Sequence, residues 1–305
     1  MERPKRQAGR AEAHRAALDR LLWLIADAPW SDALVLRGSA TLPAWLGEAA
    51  REPADLDWVV LEDQGQVDRL DPFPYVDELD VVQQWPEAAD GAARYEMWRD
   101  EEFGTFGRRP LVAPEGLRWV AEWDPGPVDP EAPPYHDLLD RIRQEPSVGG
   151  GVVLDADGAR QDRSWAYAYV GRPGVRLLVP WHADGLPSGT VQLDFSRDEV
   201  MPDSPVWTPV PRGGGRSPVP VRTASPGLSL AWKLKWMRLD HAERGFVRGK
   251  DVYDSMLLAE RGAVDGVLIR KVVPEPLSAE AVAAWPVEPG TPPGWMSRLA
   301  AALFP

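Results

Sequence analysis

The tripeptide Asp55-Leu56-Asp57 constrains what this chain can fold into more than any other feature. It opens the run Asp55 to Leu61 (DLDWVVL), where β-branched and aromatic residues follow a break at Pro53. That composition belongs to a buried strand. Side chains alternate along a strand, so both carboxylates share one face while Leu56 enters the core. Just upstream, Asp32 to Arg37 (DALVLR) is a short apolar run that stops at Gly38-Ser39. Thr41 to Ala50 then reads as a helix, since Pro43 is tolerated in a first turn. The order is strand, glycine–serine turn, helix, acidic strand. Backbone N–H groups at such a turn, with the Ser39 hydroxyl, can hold a triphosphate. A carboxylate pair on one strand face suits two divalent ions about 4 Å apart, which stabilise the attacking and leaving oxygens of an in-line phosphoryl displacement. A second acidic pair, Asp155 and Asp157, precedes Gly158 and reads instead as a hairpin turn.

The remaining chain supplies a third carboxylate. From Gly149 onward, Val152 to Leu154, Trp165 to Val170, Val175 to Trp181 and Thr190 to Phe195 read as successive strands. The turn signals between them include Arg172-Pro173-Gly174. Asp194 lies in the last of these, within Val191-Gln192-Leu193-Asp194-Phe195. A charge in so apolar a setting needs a metal or a partner. Asp194 is therefore either a salt-bridged core residue or a third metal ligand that also accepts the proton of an attacking hydroxyl.

Helices account for most of what is left. Ala11 to Ala28 carries Ala13, Ala17, Leu21, Leu24 and Ile25 near helical spacing. Tyr135 to Glu145, Leu228 to Arg244, Lys250 to Arg261 and Trp295 to Leu303 also read as helices. Arg212 to Val221, with three consecutive glycines, and Trp123 to Pro134 read as loops. Residues 62–148 are otherwise acidic, proline-punctuated and rich in Trp. The fold class is α/β or α+β, a mixed sheet with a helical C-terminal part.

Composition narrows the chemistry. The chain has 305 residues, 44% of them hydrophobic, enough for a packed core. No segment approaches the roughly 18 continuous apolar residues of a membrane helix. The basic start, Met1 to Arg10, leads into no apolar signal core, so a cytoplasmic location is expected. There are no cysteines and only four His, leaving hard, carboxylate-bound ions as the candidate metals. His182 and His241 have no partner pattern and read as structural or surface residues. The net charge of −13 weighs against extensive wrapping of nucleic acid but permits a local basic cleft.

Such a cleft has candidates. Leu228 to Arg238 (LSLAWKLKWMR) carries Lys233 and Lys235, and Arg248-Gly249-Lys250-Asp251 opens the next helix. These charges form either a solvated helix face or, for Lys233 among Leu230, Ala231, Leu234 and Met237, a cation that neutralises phosphate. Asp251 either interacts with its helix dipole or pairs with Lys233 and orients it. Arg51 supports the metal-binding loop, touches phosphate, or lies at the surface. Trp45, Trp58, Trp232 and Trp236 fit packing better than base stacking.

Two separated blocks resemble the AbiEii/AbiGii toxin family of nucleotidyltransferases. One is Leu36-Arg37-Gly38-Ser39-Ala40-Thr41-Leu42 with Arg51-Glu52-Pro53-Ala54-Asp55-Leu56-Asp57. The other is Ser229-Leu230-Ala231-Trp232-Lys233-Leu234 with Arg248-Gly249-Lys250-Asp251-Val252-Tyr253-Asp254. Pro53 stands where the family usually has serine or threonine, and Lys250 where arginine is commoner. The resemblance implies a DNA polymerase beta-like nucleotidyltransferase core. A domain over 1–221, with an irregular acidic insertion at 62–148, would precede a helical domain over 222–305. It implies Mg2+ at a two-ion site on Asp55, Asp57 and Asp194. Gly38, Ser39, Arg51, Lys233 and Lys250 would contact nucleotide, and Lys233 and Asp251 would act in catalysis. It further implies the toxin of a bacterial toxin–antitoxin or phage-defence system, with a cognate antitoxin partner. Such an enzyme would use an NTP and an RNA acceptor such as the tRNA acceptor end. Two rivals stand beside it: nucleotidylation of a small molecule or protein side chain, and a non-catalytic binding protein on the same fold.

Overall fold

A computed structural model describes residues 2–61, 72–76, 117–121, 133–162, 174–197, 199, 201–273 and 275–304. The chain divides into two compact units. One is Met1–Asp27, Leu34–Val60 and Asp137–Pro305; the other is Ala28–Ala33 and Leu61–His136. In the second unit, β3 (Pro72–Val76) and β4 (Leu117–Ala121) pair antiparallel, with Pro72 opposite Ala121. The loop expected over 123–134 lies, except for its last two residues, outside the described residues. So do the strand expected at Trp165 to Val170 and most of the turn at Arg172-Pro173-Gly174.

The first unit is built on a mixed sheet. Its strands are β1 (Leu34–Arg37), β2 (Asp55–Val60), β5 (Ser147–Gly149), β6 (Val152–Leu154), β7 (Arg160–Asp162), β8 (Val175–Ala183), β9 (Gly189–Ser196), β10 (Val206–Val210) and β11 (Val219–Thr223). The order across it is β10-β11-β1-β2-β9-β8-β6-β5, with β7 also on β8. β2 runs parallel to β9 and β1 parallel to β11, while β1–β2 and β8–β9 are antiparallel. The strands expected at Asp55 to Leu61, Val152 to Leu154, Val175 to Trp181 and Thr190 to Phe195 form within a residue or two of their expected ends. The first apolar run starts later than expected, because Pro29–Ala33 takes a 3-10 turn.

Helices cover the sheet and its C-terminal side. α1 (Glu2–Ala26) buries Ala13, Ala17, Leu21, Leu24 and Ile25, the positions its periodicity marks. α2 (Leu42–Leu46) is shorter than the expected Thr41 to Ala50 helix. Gly47 has φ 60, and the chain continues as a 3-10 turn, Gly47–Ala49. α3 (Leu138–Gln144) falls inside the expected Tyr135 to Glu145. α4 (Pro226–Arg244) and α5 (Gly249–Glu260) match expectation, and α6 (Gly266–Val272) and α7 (Ala279–Ala283) join them before α8 (Trp295–Leu303). Leu42 and Leu46 of α2 share one apolar cluster with Leu234, Met256, Leu299 and Leu303. Each such side chain contributes roughly 1.5–3 kcal/mol on burial. Among the described residues no helix is long and apolar enough to cross a membrane.

One expectation fails here. Arg212 to Val221 reads as a loop, yet its end belongs to β11, hydrogen-bonded to β10 with Pro209 opposite Pro220. Proline lacks the amide that signals a central strand. The register between β11 and β1 is the pair Leu36–Thr223, so Pro220 lies beyond the β1 ladder.

Candidate active site

Strand register assembles a row of charges. Arg37 of β1 lies opposite Asp57 of β2, Asp57 opposite Asp194 of β9, and Asp194 opposite Arg176 of β8. Directly paired residues on neighbouring strands project to the same face. Four strands therefore carry Arg, Asp, Asp and Arg side by side. Asp55, the alternate residue of β2, joins this face opposite Gln192. The other face carries Leu56 opposite Leu193 and Trp58 opposite Phe195, all buried.

The turn after β1 closes on this row. Gly38 has φ 74, a conformation that β-carbons disfavour. A β-carbon there would meet the Asp57 carboxylate. Glycine thus lets the backbone reach the acid. The buried Ser39 hydroxyl donates to Asp55 Oδ1 at 3.3 Å, and Thr41 Oγ1 donates to the Gly38 carbonyl at 2.8 Å. Gly38–Ala40 itself is a 3-10 turn.

The acids differ in their partners. Burial, helped by Asp55 and Asp194, pushes the Asp57 carboxyl up to about 7, against the pull of Arg37 and Lys250. Burial is the larger cause, but Asp55 and Asp194 beside Asp57 add like charge that a hard divalent cation would offset. The donor chemistry of Asp55 and Asp57 thus fits such an ion. Asp194 is already engaged. Arg176 donates to its Oδ1 from Nε at 2.7 Å and to its Oδ2 from Nη2 at 2.9 Å, and Gln192 Nε2 donates to Oδ2 at 2.8 Å. Among the described residues no group of three or more acids or histidines is disposed to hold a metal ion. Asp55, Asp57 and Asp194 share one face of the sheet, but Asp194 is turned to a guanidinium.

Arg37 is held differently. Its Nη1 donates to Glu199 Oε1 at 2.7 Å with both side chains buried, and its guanidinium lies 5.0 Å from the Trp236 ring centre. Lys235 Nζ lies 3.9 Å from Glu199.

The basic candidates gather beside the row. Lys233 is buried, and its Nζ donates to Asp251 Oδ1 at 3.1 Å and Asp254 Oδ2 at 2.9 Å. Burial alone would lower its pKa, but Asp251 and Asp254 outweigh that and raise it. Arg51 Nε donates to both oxygens of Asp254 at 3.1 Å. Lys250 is exposed and pulls on both Asp57 and Asp251, which ties this cluster to the acidic row. Lys233 therefore does not face an open cleft.

Arg176, Gln192 and Asp254 were not among the expected site residues. Asp254 follows Asp251 by one helical turn on α5 and so shares its face, a signal present in the sequence. Arg176 and Gln192 depend on strand register, which spacing does not show. His182, expected as a structural or surface residue, is exposed with Nε2 3.5 Å from Asp155. A cavity of about 650 Å3 opens elsewhere, where α4 and α6 begin, lined by Asp203, Ser225, Gly227, Asp265 and Arg270.

Residues 129–283 match the family described as nucleotidyl transferase AbiEii toxin, type IV toxin–antitoxin system. That stretch holds Arg176, Asp194, Lys233, Lys250, Asp251 and Asp254, whereas Gly38, Ser39, Arg51, Asp55 and Asp57 precede it. No curated protein matches the chain.

Proposed function

Because this chain belongs to the AbiEii nucleotidyl transferase toxin family of type IV toxin–antitoxin systems, we propose that it transfers a nucleotide from an NTP to an acceptor hydroxyl on RNA. The acceptor we favour is the tRNA acceptor end, and the core is polymerase beta-like. Membership implies nucleotidyl transfer and a cognate antitoxin. The observation that carries the site assignment is the register of Asp57 with Asp194, with Asp55 on the same face and Gly38 against Asp57.

In this reading Asp55 and Asp57 hold Mg2+, and Asp194 completes the site. The bound ions supply charge neutralisation at the phosphates. Gly38 and Ser39 place the triphosphate with the backbone of the turn. Lys250 and Arg51 add positive charge from α5 and from the loop before β2. Lys233, held by Asp251 and Asp254, fixes α4 against α5 behind them. The acceptor oxygen attacks the α-phosphorus, the bond to the β-phosphate oxygen breaks, and pyrophosphate leaves. The hydroxyl proton passes to a carboxylate oxygen of Asp194. A net charge of −13 fits contact with a single RNA end better than a long RNA groove.

The test is incubation of the full chain with α-labelled NTPs, Mg2+ and total RNA. Label should enter RNA, and Asp57→Ala should abolish incorporation. Label in protein or small molecules, with RNA blank, would move the acceptor; undiminished labelling by Asp57→Ala would end the catalytic assignment.

A further inference from the structure

The two arginines that flank the acidic pair are not equivalent. Arg37 is fixed: its side chain is 1% exposed, paired with the buried Glu199 and packed on Trp236. Arg176 is 28% exposed, and its guanidinium spans both oxygens of Asp194, whose own side chain is 4% exposed. A carboxylate so buried cannot stand uncompensated, since an unpaired buried charge costs several kcal/mol. A cation beside Asp194 offsets that cost. In the structure that cation is Arg176, on the side of Asp194 away from β2. Both Asp57 and Asp162 also pull on Arg176. Its fork would suit a phosphate as well as a carboxylate.

We propose that Arg176 is a placeholder cation: its two-armed contact with Asp194 would give way when Asp55, Asp57 and Asp194 take up a divalent ion. The inference rests on the metal-dependent reading above. It makes Arg176 a positioning residue whose contact with Asp194 competes with the ion. A purely structural cross-strand ion pair would affect stability and leave ion affinity alone.

The experiment measures Mn2+ binding to the full chain without nucleotide, by the loss of the free-ion electron paramagnetic resonance signal. Wild type, Arg176→Met, Arg176→Lys, Asp57→Asn and the double variant Arg176→Met with Asp194→Asn are compared. Breaking a charged, two-armed contact should tighten Mn2+ binding about 10-fold or more in Arg176→Met. The double variant should lose that gain. Lysine keeps the charge without the fork, so Arg176→Lys should fall between wild type and Arg176→Met, and it carries the test if the Met variant does not fold. Unchanged or weaker binding in the folded Arg176 variants, with Asp57→Asn still binding less than wild type, overturns the placeholder and leaves the metal-site reading standing. Binding that is absent from wild type, or indifferent to Asp57→Asn, overturns both.

Discussion

Gly38 and Asp251 each take a position another residue type could not hold unchanged. Gly38 combines φ 74 with contact against the Asp57 carboxylate. Alanine there meets a disfavoured backbone conformation, worth roughly 1 kcal/mol, and its methyl must push Asp57 aside. Gly38→Ala should therefore cost about 1–2 kcal/mol by denaturant unfolding and lose most nucleotide incorporation. Activity at the wild-type level would show that Asp57 tolerates the shift. Asp251 makes a pH prediction. Burial would raise its carboxyl, yet Lys233 of α4, Lys250 of its own helix and Arg51 from the loop before β2 hold it below the ordinary value. Asp254, on the same helix, shares Lys233 with it. An acid lowered on folding binds fewer protons folded than unfolded near that value. Its stabilisation is therefore complete above the unfolded pKa, about 3.9, and disappears as pH falls through the folded one. Asp251→Asn should lower Tm at neutral pH and flatten the fall of Tm from about pH 4 to pH 2. A variant whose acid limb parallels wild type would remove Asp251 from that account.

At the scale of elements, α4 places Lys233, and its start is set by Ser225. The Ser225 side chain accepts from the Leu228 N–H at 3.1 Å and donates to Asp203 Oδ2 at 2.6 Å. Ser225→Ala should cost about 1 kcal/mol and lower Tm by a few degrees, with Ser225→Thr restoring much of it. A Tm unmoved by alanine would mean that the cap contributes nothing. The helix itself was expected over Leu228 to Arg244, though no apolar stripe marks its first half. Leu228 to Leu234 is buried on every side, which erases the periodicity. β2, β8 and β9 were legible because each is a continuous β-rich run between turn residues. β10 and β11 were hidden by Pro209 and Pro220, and β5 and β7 by their composition: Ser-Val-Gly and Arg-Gln-Asp lack the β-rich run that marks the equally short β6. Within the candidate site, the acids and Lys233 were legible by residue type and context. The pairing of Arg176 with Asp194 was not: it follows from the register of β8 on β9, which only the assembled sheet fixes.

At the scale of the whole molecule, the family-matched stretch and the segment before it depend on each other. β9 pairs with β2 from Asp55–Gln192 to Val59–Ser196, so Asp194 lies inside the match and its neighbour Asp57 outside it. Arg51 binds Asp254, and Tyr253 donates to the Ala49 carbonyl at 2.9 Å. Leu42 and Leu46 before the match, and Leu299 and Leu303 after it, complete the apolar cluster of α4 and α5. Residues 129–283 alone would expose the β9 edge that β2 covers, an invitation to aggregate. They would also leave Asp254 without Arg51. Removing those apolar side chains costs several kcal/mol, comparable with the 5–15 kcal/mol that holds a typical domain together. Expressed alone, 129–283 should aggregate or show no cooperative unfolding transition. The full chain should unfold cooperatively through this unit. A soluble 129–283 fragment that melts sharply near the full-length Tm would show that the matched stretch folds by itself. Asp55 and Asp57 would then be an addition to a self-sufficient domain and no part of its core.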